Sequence, residues 1–273
     1  MTATTTQLGD LVRNVGGDRV DVTTILRPGA DPHDFEPRPS DARGLSRSRV
    51  VFRSGGDIDA WLDQLIESSG TDADHVTLLD SVRAISDDPH WWQDPRNAEL
   101  AVGAIRRALS EADPAGEPSY RRHAAAYERR LRRLDRGIAR CIARVPRAKR
   151  KLVTTHDSLH YYARRYGLQV VGAVIPSRST QAQPSGRDTE RLVSQVRREG
   201  VEAIFPESPL NPRLERALAR EAGVEVGGTL WADSLGKPGS DGDTYLNAMA
   251  SETATMVSGM TGGRTRCTPD TSP

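Results

Sequence analysis

The stretch SYRRHAAAYERRLRRLDRGIARCIARV, residues 119–145, decides the predicted fold. Its apolar side chains return every three or four positions, which is the spacing of one face of an α-helix. These side chains are Tyr127, Leu131, Leu134, Ile138, Ile142 and Val145. Because the stretch contains no proline, it predicts a helix of about seven turns, roughly 40 Å long at 1.5 Å per residue. Such a helix is long for a globular domain, and Pro146 marks its end.

Strand and helix patterns alternate on both sides of this helix. Short β-branched or apolar runs predict strands, namely DVTTIL, RVVF and HVTLLD before the helix and KLVTT, LQVVGAVI, EAIF and VEVGGTL after it. Runs with helical spacing lie between them. We therefore expect an α/β protein with two lobes, mainly parallel sheets, and a single long backbone helix that joins the lobes. The predicted boundaries are an N-terminal lobe at 1–118, the linking helix at 119–145, a C-terminal lobe at 146–260 and a disordered tail at 261–273.

Local signals refine a few of these elements. Asp57 is a plausible N-cap for the helix in DIDAWLDQLIESSG, whereas Asp94 can cap and Pro95 can start the helix that follows DDPHWWQDP. The chain has two cysteines. Cys141 lies on the apolar seam of the long helix and Cys267 in the polar tail, so we expect both to be unpaired and structural.

Composition excludes several classes of protein. With 36% hydrophobic residues and a mean hydropathy of -0.56, the chain reads as globular, and no apolar run reaches the ~18–20 residues that span a bilayer. The net charge of +1 argues against a polyanion as partner, and the arginine-rich face of the long helix carries acidic residues and no aromatic stripe. We therefore expect no nucleic acid. No phosphate-binding loop, dinucleotide fingerprint, C-x-x-C or H-E-x-x-H pattern occurs. No signal peptide or lipid-anchor cysteine is visible.

Four side chains that can bind metal follow predicted strands. His33 comes after DVTTIL, His90 after HVTLLD, His156 after KLVTT and Asp233 after VEVGGTL. Ligand crevices in open parallel sheets form at the carboxyl ends of the strands. Three imidazoles and a carboxylate make a coherent ligand set for a divalent transition metal such as Zn²⁺ or Mn²⁺. The four positions converge only if the two lobes face each other.

Two of these histidines stand in Asp-Pro-His frames, GADPHDFEP and DDPHWWQDP. Proline stiffens a loop, so that a ligand held there loses less entropy when an ion binds. Neighbouring acids can orient an imidazole, and they are Asp31, Asp34, Asp88 and Asp157. Trp91 and Trp92 form either a wall of the site or plain core. A lone histidine beside proline is more often a turn or surface residue, and we expect His75, His123 and His160 to be structural.

The chain resembles the zinc/manganese-type solute-binding proteins of bacterial ABC metal importers, the TroA-like or cluster A-I family. The resemblance covers nearly the whole chain to about Met260. It rests on motifs that occur in order, namely TTQLGDLVRNVGGDRVDVTTILRPGADPHDFEPRPSD, DPHWWQDPRNAEL, AAYERRLRRLDRGIARCIARVP, KLVTTHDSLHYYARRYGL, VEAIFPES, ADSLG and TYLNAM. It implies two α/β lobes on one long helix, with a metal in the cleft between them. The ligands that it implies are His33, His90, His156 and Asp233.

The resemblance also implies a function. The protein is expected to be an extracytoplasmic, monomeric and non-enzymatic receptor that captures Zn²⁺ or Mn²⁺ and delivers it to the permease of an ABC importer. The long loop rich in histidine and acids that zinc-type members often carry is missing. Two alternatives stay open. One is a metal-dependent hydrolase in which Glu207 or Glu36 acts as base, and the other is a surface adhesin on the same fold. In the receptor, Glu207 is a candidate for the wall of the site.

Overall fold

The chain divides into two compact units, Met1–Arg132 and the residues from Arg133 onward. The structure is a computed structural model and describes residues 1–272. Both units combine helices with parallel strands, which confirms the predicted α/β class. The division falls inside the long helix, whereas the sequence sets residues 119–145 apart as a linker. That description of the linker stays a prediction.

The first unit is built on a parallel sheet. Its strands are β1 (Thr2–Ala3), β2 (Thr23–Thr24), β3 (Val50–Arg53) and β4 (Asp74–Thr77). They pair in the order β2-β1-β3-β4, and every pairing is parallel. The helices are α1 (Thr6–Gly16), α2 (Pro39–Leu45), α3 (Trp61–Ser69), α4 (Pro95–Ala112) and the start of α5 (Glu117–Ala143). Because the strands run in one direction, the loops after them leave from the same edge of the sheet.

Local signals explain most helix starts in this unit. The Asp94 carboxylate accepts the backbone N–H of Arg96 at 2.9 Å, and Pro95 is the first residue of α4, as the sequence predicts. The prediction that Asp57 caps a helix is wrong. The helix α3 begins only at Trp61. The residues before it form a turn, which starts at two glycines of positive φ, Gly55 and Gly56.

The second unit repeats the strand order of the first. Its strands are β5 (Lys151–Thr154), β6 (Gln169–Ala173), β7 (Ala203–Ile204) and β8 (Glu225–Val226). The pairs β5–β6 and β7–β8 are parallel, and a parallel bridge from Thr154 to Phe205 joins them in the order β6-β5-β7-β8. The helices that follow α5 are α6 (His160–Tyr166), α7 (Gly186–Glu199), α8 (Arg213–Ala222) and α9 (Tyr245–Met260). Buried aliphatic side chains of β5, α7 and α8 form its core.

The helix α5 has the length that its apolar spacing predicts. It spans 27 residues, and its start and end each lie two residues before the predicted ones. Leu131, Leu134, Ile138 and Ile142 are at most 1% exposed, so the repeating apolar face is the buried face. Arginines such as Arg136 and Arg140 are exposed, as expected for a solvated face. Among the described residues, no helix has both the length and the apolar character needed to cross a bilayer.

The prediction of two unpaired cysteines is wrong. Cys141 on α5 forms a disulfide with Cys267, which lies 126 residues later in the tail. Residues of the tail up to Ser272 contact α5. A Cβ atom on Gly137 would lie 3.0 Å from Pro269, and the Arg133 guanidinium donates to the Ser272 carbonyl at 2.7 Å. Glycine at position 137 leaves room for this close approach.

Candidate metal centre

The four predicted ligands follow strands in both units, two in each. In the first unit, His33 comes after β2 and His90 after β4. In the second unit, His156 comes after β5 and Asp233 after β8. We describe the two as the histidine pair, His33 with His90, and the charged pair, His156 with Asp233.

The two Asp-Pro-His frames of the histidine pair share one type of hydrogen bond. The Asp31 carboxylate accepts the backbone N–H of His33 at 2.9 Å, and the Asp88 carboxylate accepts that of His90 at 3.0 Å. The proline between them has no N–H to donate and holds its own φ fixed. Each frame is therefore a tight, capped turn that presents one imidazole. This hydrogen bond adds to the restraint that proline places on the loop.

The imidazoles of this pair lie close together, with ring centroids 5.6 Å apart. His90 is fully buried, and its Nδ1 lies 2.7 Å from Asp88 Oδ1. A carboxylate on Nδ1 fixes the proton there and leaves Nε2 as the donor for a cation. Asp88 therefore binds His90 twice, once through the backbone and once through the ring. The repeated Asp-Pro-His motif is the sequence signal for this role.

Two tryptophans follow His90 and are nearly inaccessible to solvent. The ring of Trp92 lies 5.5 Å from the ring of His90, and the Trp91 indole donates to Ser54 Oγ at 3.1 Å. Trp91 thus anchors the histidine turn to the loop after β3, and Trp92 is the ring beside the imidazole. Both are also core residues, and their role as a wall of the site stays a prediction.

A buried aspartate that the sequence did not single out holds the loop beneath Trp91. The Asp59 carboxylate accepts the backbone N–H groups of Ser54 and Gly55 and the hydroxyl of Thr4. Burial raises the pKa of Asp59, and these hydrogen bonds oppose the rise. These partners lie just after β1 and β3, so the role of Asp59 depends on the pairing of these two strands.

The charged pair is a direct contact between opposite charges. His156 is fully buried, and its Nε2 lies 3.0 Å from Asp233 Oδ2. On the other side of the ring, Nδ1 lies 2.5 Å from Oε2 of Glu207, which is also buried. Glu207 Oε1 accepts the backbone N–H of His156 at 3.3 Å and the hydroxyl of Ser158 at 3.2 Å. Glu207 therefore fixes both the ring and the backbone of His156.

The two carboxylates beside His156, those of Glu207 and Asp233, attract positive charge. Burial by itself lowers the pKa of His156, but the charges of Glu207 and Asp233 outweigh it, and the pKa lies well above its ordinary value. The two acids therefore favour the protonated form of the imidazole. A divalent cation bound to Asp233 and to this imidazole nitrogen would take the place of a proton there.

Comparison with known proteins identifies the family. Residues 1–259 match the model of ZnuA, described as zinc-uptake complex component A, periplasmic. The chain belongs to the ZnuA family. This confirms the resemblance to zinc- and manganese-type solute-binding proteins.

Relatives of this ZnuA-family chain are metal-binding lipoproteins. The manganese-binding lipoprotein MntA of Halalkalibacterium halodurans is 31% identical over 259 residues, which cover 93% of this chain and 85% of the relative. The manganese ABC transporter substrate-binding lipoprotein PsaA of Streptococcus pneumoniae is 26% identical and covers 89% of this chain and 82% of its own length. The periplasmic zinc binding protein TroA from Treponema pallidum shares the fold, with a TM-score of 0.89, 24% identity, and coverage of 95% of this chain and 98% of TroA.

Other histidines and acids of this ZnuA-family chain have partners away from the pairs. Asp157, predicted to orient an imidazole, lies 2.8 Å from Nε2 of His160 and so pairs with that histidine. His123 Nδ1 contacts the carbonyl of Val15 at 3.2 Å, and His75 is exposed on β4. These placements agree with the structural roles expected for the three histidines.

Proposed function

We propose that this ZnuA-family chain is an extracytoplasmic receptor that captures Zn²⁺ or Mn²⁺ and delivers it to an ABC permease. The ligands that we propose are His33, His90, His156 and Asp233. The observation that carries the proposal is that each unit by itself brings two of these donors together, with 5.6 Å between the imidazole centroids in one and 3.0 Å between His156 and Asp233 in the other.

The chemistry of the donors supports a closed site. Three neutral imidazoles and one carboxylate fill four positions, which is the coordination number of structural zinc sites. A hydrolase needs an open position and a free base. Glu207, the candidate base, uses both carboxylate oxygens to hold His156 and Ser158. The two named relatives, moreover, are named for manganese binding and for manganese transport.

The disulfide supports an address outside the cytoplasm. Disulfides persist in oxidising compartments and are rare in the cytosol. Cys141 and Cys267 form one, and the named relatives are lipoproteins. We further propose that the receptor is a monomer, which light scattering of the purified protein in the presence and absence of metal will check.

Metal analysis tests the proposed function. Protein purified without added metal is to be assayed for bound ions, stripped with EDTA and titrated with Zn²⁺ and Mn²⁺ in competition with a chelating dye. We expect one ion per chain and tighter binding of Zn²⁺, as the Irving–Williams order requires. At ~1,000 times Kd, bound metal should stabilise the fold by ~4 kcal/mol, visible as a rise in Tm.

A matched pair of variants serves as the control. His33→Ala should lower affinity, whereas His75→Ala, which removes an exposed histidine of the same unit, should not. Wild-type protein with a Tm indifferent to EDTA, Zn²⁺ and Mn²⁺ would contradict the proposal.

A further inference from the structure

A chain of hydrogen bonds runs from His156 to a buried glutamate on α8. Glu215 lies in the first turn of α8 and is 1% exposed. The hydroxyl of Thr155 donates to Glu215 Oε1 at 2.6 Å. The same hydroxyl oxygen accepts the backbone N–H of Glu207 at 3.1 Å. Glu207 in turn holds the ring and the backbone of His156, so four residues form one continuous network.

The direction of these hydrogen bonds shows how Glu215 orients the hydroxyl of Thr155. A threonine hydroxyl has one hydrogen and two lone pairs. Because its hydrogen is committed to Glu215, the oxygen of Thr155 is left to accept, and the N–H of Glu207 points at it. Without the acceptor on Glu215, the hydroxyl is free to rotate, and the buried N–H of Glu207 loses its fixed partner.

Burial of the Glu215 carboxyl group carries a free-energy penalty that its contacts have to offset. Burial of an acid without a cation is unfavourable. Among residues 1–272, Glu215 Oε2 has no hydrogen-bond partner, and no lysine or arginine forms an ion pair with this side chain. The N-terminal turn of α8 offers only the partial positive charge of the helix dipole. The strong contact that Glu215 makes is therefore the one with Thr155.

We propose that Glu215 is a positioning residue for metal capture, and that it acts through Thr155 and Glu207 to fix the imidazole of His156. Glu215 does not touch the ion. The inference rests on the proposed function of the site, and it adds a residue that lies 59 positions after His156 in the sequence.

Affinity measurements on matched variants test this role. Thr155→Val removes the hydroxyl at constant shape, and Glu215→Leu removes the acceptor. Each should weaken Zn²⁺ binding by about tenfold or more, the range found when partners of metal ligands are removed. The double variant should be no weaker than either single variant, because both break the same network. Thr155→Ser and Glu215→Gln, which keep a hydroxyl and an acceptor oxygen, should restore affinity close to that of wild type.

Thr253→Val is the control for general loss of stability. Thr253 is buried in the same unit, and its hydroxyl bonds to Tyr162 and the Met249 carbonyl, with no bond to the network. It should lower the Tm of the metal-free protein and leave Zn²⁺ affinity unchanged. Unchanged affinity in Thr155→Val, additive losses in the double variant, or an equal loss in Thr253→Val would each overturn the inference.

The two proposals can fail separately. Wild-type protein that binds neither Zn²⁺ nor Mn²⁺ would contradict the proposed function. A crystal structure of metal-free Thr155→Val tests the network in either case. We expect the carboxylate of Glu207 to leave Nδ1 of His156 in this variant, and an unchanged Glu207–His156 contact would overturn the positioning role.

Discussion

The two units share a strand order but position their proposed metal donors in different ways. In the first unit, capped Asp-Pro-His turns present two imidazoles, and the ring of Trp92 lies beside the buried one. In the second unit, an imidazole lies between two buried carboxylates. The histidine pair is therefore positioned by local backbone geometry, whereas the charged pair is positioned by contacts between distant segments.

Because of this difference, we expect the two pairs to contribute differently to metal binding. Imidazole nitrogens are neutral donors that suit several transition metals, including zinc. Charge neutralisation of a buried divalent ion has to come from carboxylates, and of the four proposed ligands only Asp233 is an acid. We infer that the charged pair contributes more to affinity and the histidine pair more to the geometry of coordination.

The largest expected effect is the loss of the single anionic ligand. A structural zinc site gains about 10–16 kcal/mol from four ligands, so that one ligand corresponds to about 3 kcal/mol, or about hundredfold in Kd. Asp233→Asn keeps the shape of the side chain and removes its charge, and we expect its Kd for Zn²⁺ to rise by at least this factor. His33→Ala, on a half-buried turn, should have a smaller effect. Chelator competition measures the Kd of both variants. A larger rise in Kd for His33→Ala than for Asp233→Asn would contradict the inference that the charged pair contributes more to affinity.

The next effect concerns the acid behind the histidine pair. Asp88→Asn removes the carboxylate that fixes Nδ1 of His90, and we expect Zn²⁺ affinity to fall by about tenfold to hundredfold. Asp80→Asn, at an exposed aspartate of the same unit, is the matched control and should bind like wild type. If Asp88→Asn also bound like wild type, the tight turn alone would be enough to position His90.

The charged pair predicts a pH effect in metal-free protein. Because the folded pKa of His156 is raised, its proton stabilises the fold fully below its unfolded pKa of about 6.5. That stabilisation is lost as the pH rises through the raised folded pKa. The Tm in EDTA should therefore fall with rising pH more steeply for wild type than for His156→Gln. Parallel curves for the two proteins would show that the carboxylates do not hold this proton.

The contrast between the units also explains what the sequence predicts well. The length of α5 and the cap at Asp94 depend on residues within a few positions of each other, and both were predicted closely. The Asp-Pro-His frames are equally local. The roles of Glu207 and Glu215 depend on contacts 51 and 60 residues apart in the chain. No periodicity or cap signal encodes such a pairing, because it arises only once the strands have assembled.

The cysteines show the same limit. The helical pattern places Cys141 on the buried face of α5, but it carries no information about which distant segment covers that face. In the structure, the tail covers it through Cys267, and the tail was predicted to be disordered from its polar composition. Composition indicates whether a segment folds by itself. Here the disulfide attaches the segment to α5, which composition does not predict.

The smallest effect on affinity is expected from that disulfide, which distinguishes stability from positioning. Both cysteines of the chain lie in the second unit, and the loop that they close spans 126 residues. The double variant Cys141→Ser/Cys267→Ser should lose about 2–5 kcal/mol of unfolding free energy, measured in urea. Its Zn²⁺ affinity should stay near that of wild type, because neither cysteine belongs to the network around His156. A fall in affinity as large as that of Asp88→Asn would mean that the charged pair depends on the stability of its whole unit, and the proposed contrast between local and long-range positioning would then lose its support.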